Sequence, residues 1–310
     1  MNRISRQKLE RILNHIKDAY SPNTIRAYRS DFSEFIDFCT ALGAETLPAD
    51  PIVIAQFVLQ LANEGNRSST IRRKVASISA IHRFSYLDDP TKHPEVKIAI
   101  RKINRKLRTR FQQSRPINKD LLTKMLAVCG NDLRGIRNRL LLLLAYTTLR
   151  RRSELVSLQI EDIEFIEGET AVLLLRQSKT DQNRMGIRVL IDQETSAAMS
   201  TWLEETELES GFLLRGITGS KLNDSLDAGQ VSRIFKRLAT RAGIKAGNIS
   251  GHSTRIGAAQ DLLQAGKSIG QIMALVGWSK IDTVIRYVGA SSIDAISSTG
   301  NGSEARSTYD

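Results

Sequence analysis

Four stripes of apolar residues at helical spacing fill the first eighty positions, and no stretch there alternates with the two-residue period of a strand. Leu9, Ile12, Leu13 and Ile16 make the first, and Ile25, Tyr28, Phe32, Phe35, Ile36 and Cys39 the second. Ile54, Phe57, Val58 and Leu61 follow, then Ile71, Val75, Ile78 and Ile81. Residues three and four apart share one helix face, so each stripe must be buried against another, which predicts an all-helical bundle. Start signals agree. Ser21-Pro22-Asn23 breaks the chain before the second stripe, and Asp50-Pro51 sets a capping carboxylate and an N1 proline before the third.

A fifth helix, from Val96, is different in kind. Val96, Ile100, Ile103 and Leu107 form its buried stripe, while Lys97, Arg101, Lys102, Arg105, Lys106, Arg108, Arg110 and Arg115 carry one sign of charge, and residues 96–119 hold no acid. Like charges one turn apart repel by about 0.2–0.5 kcal/mol, so solvated faces normally mix signs. An anionic partner relieves that repulsion, and Arg101, Lys102, Arg105 and Lys106 are the candidate DNA-contacting residues. Two other readings stand beside this one. A membrane-surface helix needs exposed large apolar residues opposite the charge, a face committed here to the bundle; a merely solvated basic face needs no partner at all. The whole chain leans the same way. Its 45 Lys and Arg against 33 Asp and Glu give +12; residues 1–120 hold 22 against 12, and residues 121–310 hold 23 against 21. A polyanion is the expected partner of the first half.

Length and composition bound the rest. At 310 residues and 41% apolar content the chain is globular and suits two domains. The longest uniformly apolar stretch, 140–145, is far short of the roughly 20 residues that cross a bilayer. Arg3, Arg6 and Lys8 precede no apolar run, so no leader peptide is expected. Cys39 and Cys129 offer no disulfide framework, and a reducing, cytoplasmic setting is expected.

Residues 108–117 lose periodicity around Pro116 and read as a linker, after which Asn118 can cap a helix. Helical patterns then run over 121–128, 132–146, 195–203, 231–242, 254–265, 268–276 and 280–287. Short apolar runs at 173–175 and 187–190 flank a polar stretch, 178–186, as a hairpin with a long tip. Ser268 with Gln271 forms a capping box, and Gly266 suits the preceding helix stop. The expected layout is mainly α in two domains: a helical domain over 1–107, a linker over 108–117, a mixed α/β domain with a small antiparallel sheet over 118–290, and a Ser- and Gly-rich tail over 291–310.

Three local clusters carry chemistry. Thr148-Leu149-Arg150-Arg151-Arg152-Ser153-Glu154-Leu155 closes the apolar helix; an Arg with Glu three residues later can be held in one rotamer, leaving its fork free for a phosphate, although such pairs are commonly plain surface ion pairs. Gly251-His252-Ser253-Thr254-Arg255 sets a His and an Arg at a helix N-terminus, where backbone N–H groups already favour an anion. Gly277-Trp278 and Tyr287 follow, with Lys179 on the hairpin tip upstream. Singly, Trp278 reads as core, Tyr287 as an amphipathic tip and Lys179 as a turn lysine.

Taken in order, Arg151, Lys179, His252, Arg255, Trp278 and Tyr287 resemble the catalytic set of the tyrosine recombinases, the phage integrase family. The matching motifs are Thr148-Leu149-x-Arg151-x-Ser153-Glu154-Leu155, Gly251-His252-Ser253-x-Arg255-x-Gly257-Ala258-Ala259, and Gly277-Trp278 with Arg286-Tyr287-Val288. Trp278, where most members have His, is most similar to the Cre-like branch. Ser21-Pro22-Asn23-Thr24 opening a helical N-terminal region also resembles the family's SAM-like, DNA-gripping core-binding domain.

The resemblance implies a reaction. A tyrosine hydroxyl, Tyr287, attacks a DNA phosphodiester to give a 3′-phosphotyrosyl link and a free 5′-hydroxyl, which later attacks the link on a partner strand through a Holliday junction. It implies no cofactor, neither ATP nor metal. His252 is then the base for a phenol that ionises near pH 10. Arg151 and Arg255 hold the charge of the pentacoordinate phosphorane, Lys179 delivers a proton to the departing 5′-oxygen, and Trp278 donates its indole N–H to the phosphate. Glu154 orients Arg151. The implied partners are double-stranded DNA with inverted-repeat target sites and a homotetramer assembled on two of them, without a membrane. Two other classes remain open on the residues alone: a DNA-binding protein without catalysis, and a metal-dependent transposase or nuclease.

Overall fold

The computed structural model describes residues 2–106, 114–166, 170–176, 186–276, 278, 281 and 284. The chain divides into two compact units, Met1–Phe111 and Gln112–Asp310.

The first unit is helical. Its helices are α1 (Asn2–Ile16), α2 (Pro22–Leu42), α3 (Pro51–Asn63), α4 (Ser68–Phe84) and α5 (Pro94–Lys106). The start signals act as expected: the Ser21 hydroxyl accepts from the Thr24 N–H at 3.2 Å, and the Asp50 carboxylate from the Ile52 N–H at 2.7 Å. The stripes meet in one core, where the Phe35 and Phe57 rings pack at a tilt of 58° with centroids 5.2 Å apart. Asp31 and His82 are among the polar residues buried in this unit. Asp31 accepts from Arg73 Nη1 at 2.6 Å and from the Ser77 hydroxyl at 2.8 Å, which makes burial of its charge tolerable. His82 Nε2 accepts the Ala49 N–H at 3.0 Å, so its proton is on Nδ1 and is donated to the Ile78 carbonyl at 2.8 Å. Burial pushes the His82 pKa below the ordinary value. On α5, Val96, Ala99 and Ile103 are buried, Ile100 packs partly against the core, and Arg101, Lys102, Arg105 and Lys106 are all exposed. Leu107 lies outside the described residues.

The second unit opens with α6 (Lys119–Ala127), α7 (Leu133–Thr147) and the single turn α8 (Arg152–Leu155). A three-stranded antiparallel sheet follows, β1 (Ile163–Ile166), β2 (Thr170–Leu175) and β3 (Ile187–Ile191), in that spatial order, with Leu173 opposite both Ile163 and Val189. Then come α9 (Gln193–Thr206), the short pair β4 (Ile217–Thr218) and β5 (Lys221–Leu222), α10 (Ala228–Arg241), α11 (Ser253–Gln264) and α12 (Ile269–Val276). The protein is therefore mainly α with a small antiparallel sheet. Trp202, fully buried, donates its indole N–H to the Leu213 carbonyl at 2.7 Å within a core that includes residues 140–145 and Phe235. Asn118 caps α6 through the Leu121 N–H at 3.1 Å, and Ser268 and Gln271 make both bonds of the capping box, at 3.2 and 2.9 Å.

Two features go beyond the sequence reading. β1 is an edge strand of four residues, three of them exposed, so it carries no apolar alternation to betray it. The end of the expected linker is built into the second unit: the Arg115 N–H donates to the Asn248 carbonyl and the Ile117 N–H to the Ser253 carbonyl, both at 2.9 Å, and Ile117 is fully buried. A Cβ on Gly257 would lie 1.9 Å from the Ile117 carbonyl oxygen, so only glycine admits this strap across α11. Lys179 and the hairpin tip at 177–185 lie outside the described residues, as do Tyr287 and the tail. Of the helix expected at 280–287, Ile281 and Val284 are described and helical.

Candidate active site

Three consecutive arginines leave α7, and burial assigns each a different environment. Leu149, at φ +50°, turns the chain through the left-handed region, which costs about 1–2 kcal/mol for a residue with a side chain. Its side chain is buried in an apolar cluster that also holds Ala258, Ala259, Ile272, Val276 and Val284, which offsets that cost. Arg150 then points inward, 3% exposed, and donates to the Leu275 carbonyl at 3.0 Å. Arg151 precedes α8 with a third of its side chain exposed, and Arg152 is exposed. Glu154 holds Arg151 twice: its carboxylate accepts from Arg151 Nη1 at 2.8 Å and from the Arg151 backbone N–H at 3.0 Å.

His252 occupies the N-cap position of α11, and hydroxyls fix the turn that presents it. The Ser250 N–H donates to Ser253 Oγ at 2.9 Å, the His252 N–H to Ser250 Oγ at 3.1 Å, and the Gly251 N–H to Ser232 Oγ at 3.0 Å. Gly251 brings this turn onto α8, since a Cβ there would lie 3.2 Å from Arg152 Cβ. The His252 residue is open to solvent, yet desolvation by the adjoining protein and then the charges of Arg255, Arg152 and Arg151 lower its pKa below the ordinary value. The shift favours the neutral imidazole, the form able to take a proton.

One turn on, Arg255 is 3% exposed and donates Nη2 to the Val276 carbonyl at 3.0 Å. Its guanidinium carbon stands 5.9 Å from the Trp278 ring centroid, a cation–π contact. Trp278 is half-buried, with its backbone N–H donating to the Met273 carbonyl at 3.0 Å. Arg151, Glu154, His252, Arg255 and Trp278 thus belong to one region of the second unit, and Val284, three residues before Tyr287, is fully buried in the same apolar cluster as Leu149. Arg101, Lys102, Arg105 and Lys106 lie on the first unit. Such a cluster can bind an anion through two guanidiniums and offer it a neutral imidazole. Ser232 and Ser250, which help shape the His252 turn, carried no sequence signal because serine at such spacing is common, whereas Ser253 stands inside the motif around His252. Among the described residues no group of three or more His, Cys, Asp or Glu is placed to hold a metal, and no helix is long and apolar enough to cross a membrane.

This architecture and site define a class. Residues 115–292 match the phage integrase family, and residues 9–88 its N-terminal SAM-like domain. The chain belongs to the phage integrase family, the tyrosine recombinases, enzymes that cut and rejoin DNA at specific sites. Its relatives include an integrase/recombinase XerD homologue of Selenomonas ruminantium, 30% identical over 80% of this chain and 76% of that protein. The Cre recombinase of Escherichia phage P1 is 24% identical over 88% of this chain and 85% of its own length. Among solved structures, the XerH site-specific recombinase bound to a palindromic difH substrate superposes with a TM-score of 0.69 at 19% identity, over 96% of this chain and 84% of that one. A lambda integrase dimer bound to a COC′ core site gives 0.63 at 18% identity, over 98% and 80%. At these identities the superpositions speak for the fold.

Proposed function

We propose that the protein recombines duplex DNA at specific sites by two transesterifications. Tyr287 attacks the scissile phosphorus and forms a 3′-phosphotyrosyl link. The released 5′-hydroxyl attacks the link on a partner strand, and a Holliday junction lies between the two rounds of exchange. Each step exchanges one phosphoester for another, so the reaction calls for no ATP, and Arg151 and Arg255 take the charge-stabilising part that a metal ion plays in other phosphoryl-transfer sites. The observation that carries this reading is the convergence of Arg151, His252, Arg255 and Trp278 from three separate motifs on one region of the second unit.

Each residue has a part in that scheme. Arg151 and Arg255 bind the non-bridging oxygens and hold the charge that develops on them. Neutral His252 accepts the phenol proton. Trp278 donates its indole N–H to the phosphate, Lys179 protonates the departing 5′-oxygen, and Glu154 keeps Arg151 in place. Residues 1–107 serve as the core-binding domain, 108–117 as the linker, 118–290 as the catalytic domain and 291–310 as the tail. Arg101, Lys102, Arg105 and Lys106 contact phosphates. The partner is double-stranded DNA with inverted-repeat sites, bound by a homotetramer on two sites, and the protein is bacterial, of plasmid or phage origin, and DNA-associated in the cytoplasm.

A nicked suicide substrate, which loses its short 5′ fragment after cleavage, tests the scheme. The wild-type chain should accumulate a covalent adduct that survives denaturation and chelator, and Tyr287→Phe should bind the same DNA yet form none. An adduct with that variant removes Tyr287 from the mechanism; loss of cleavage with chelator points to a metal-dependent nuclease or transposase.

A further inference from the structure

Arg151 reaches the site from the segment between α7 and α8 and Arg255 from α11, so something must set the distance and angle between them. Leu149 shares an apolar cluster with Ala258 and Ala259, but apolar contact is not directional and fixes neither. A polar junction lies one step behind it. Asp261 stands on α11 six residues after Arg255, and its Oδ2 accepts the phenolic O–H of Tyr146, in the last turn of α7 and five residues before Arg151. The same oxygen accepts the backbone N–H of Lys119, the first residue of α6, at 2.8 Å.

One carboxylate oxygen therefore ties three elements together. Lys119 stands two residues after Ile117, whose strap lies across α11, so its N–H, one of the donors that a helix start leaves without an intrahelical partner, meets Asp261 just past the strap. The Tyr146 ring is half-buried beside the Leu149 cluster, so the phenol has little freedom once the bond is made. Burial, followed by the bond to Asp261 and the nearby negative charges, drives the Tyr146 pKa up, so the phenol stays protonated and remains a donor.

We infer that Tyr146 and Asp261 are positioning residues for strand cleavage: their bond holds the exit of α7 at a fixed angle to α11 and so sets the spacing of Arg151 and Arg255 around the scissile phosphate. The inference rests on the phosphate-binding part assigned above to those two arginines. Neither residue touches the phosphate in this scheme. The requirement is for an acceptor oxygen at the Asp261 Oδ2 position and a donor at Tyr146, not for negative charge.

Three variants of the full chain test it on the nicked suicide substrate: Tyr146→Phe, Asp261→Ala and Asp261→Asn. The single-turnover rate of adduct formation is measured at saturating protein, beside the dissociation constant for the same DNA and the melting temperature. A displacement near 1 Å at a reacting centre can cost about a hundredfold, so a loosened tether should slow Tyr146→Phe by about tenfold and Asp261→Ala by about ten- to a hundredfold, with DNA affinity within about twofold of wild type. Asp261→Asn keeps an acceptor oxygen and should restore the rate to within about threefold of wild type. Wild-type rates for both Tyr146→Phe and Asp261→Ala overturn the inference. Losses that follow DNA affinity or melting temperature in step, or that Asp261→Asn does not rescue, overturn it too, because they mark a merely structural bond. Should Asp261→Ala fail to fold, Tyr146→Phe against Asp261→Asn decides alone. Absence of an adduct from the wild-type chain refutes the catalytic scheme itself, a result distinct from any of these.

Discussion

Removing the Glu154 carboxylate tests whether Arg151 must be held in order to act. Glutamate accepts two hydrogen bonds from that residue, at 2.8 Å from Nη1 and at 3.0 Å from the backbone N–H, and its own side chain is only 14% exposed. A bond to a charged group contributes about 1.5–3 kcal/mol, and the 33% exposure of the Arg151 side chain argues for the lower end. Losing that restraint lets the guanidinium sample solvent, and part of the lost orientation reappears as barrier. Since each 1.4 kcal/mol is about a tenfold change in rate, and two bonds of about 1.5 kcal/mol are lost with only part returned as barrier, Glu154→Ala should slow single-turnover adduct formation by about 10-fold and at most about 100-fold. Glu154→Gln retains an acceptor for one of the two bonds and should lose less, about 3- to 10-fold. The assay is the nicked suicide substrate at saturating protein, with the melting temperature followed in parallel. A fall of a few degrees corresponds to the about 1–2 kcal/mol expected for losing a helix-start bond, and should be shared by every variant that removes it. Glu154→Ala cleaving at the wild-type rate would mean that Arg151 acts without being held by this carboxylate, and Glu154→Gln being as slow as Glu154→Ala would mean that the retained acceptor does not hold it.

The remaining predictions concern titration and charge. Because the His252 pKa lies below 6.5, adduct formation at subsaturating DNA should be level at higher pH and decline as pH falls, with a midpoint below 6.5; a midpoint above it contradicts the neutral-base assignment. His82 also has a lowered pKa in the folded chain, so the unfolded state takes its proton first. The stability it confers is complete above its unfolded pKa of 6.5 and is lost as pH falls through that value towards the lower folded one. Exchange of the Ala49 amide, corrected for intrinsic rate and followed between about pH 5 and 8, should speed on acidification, and His82→Gln should level that dependence. Replacing Arg101, Lys102, Arg105 and Lys106 by Gln should weaken DNA binding and flatten its salt dependence by about 0.9 per lost phosphate contact, and an unchanged slope moves the DNA surface elsewhere.

What could be read along the chain was whatever forms among near neighbours. The helices of the first unit follow from apolar residues three and four apart, and the caps at Ser21, Asp50, Asn118 and Ser268 follow from side chains that reach only two or three residues ahead. The reactive types at Arg151, His252, Arg255 and Trp278 were legible for a similar reason, since each stands in a short motif. Elements whose cause is distant were not. β1 is mostly exposed and exists because β2 offers it a partner, and the strap at 115–117 looks like a free connection until its N–H groups meet Asn248 and Ser253.

By itself, then, the sequence determined the helical character of the first unit, the excess of positive charge on α5 and the kinds of side chain available for phosphate chemistry, because periodicity, capping and charge are properties of neighbouring residues. Tertiary structure alone decided that Arg150 is buried while Arg151 stays partly open and is gripped by Glu154, and that Tyr146 finds Asp261 115 residues away. Burial and long-range hydrogen bonds depend on which surfaces the folded chain brings together, and no local pattern records that.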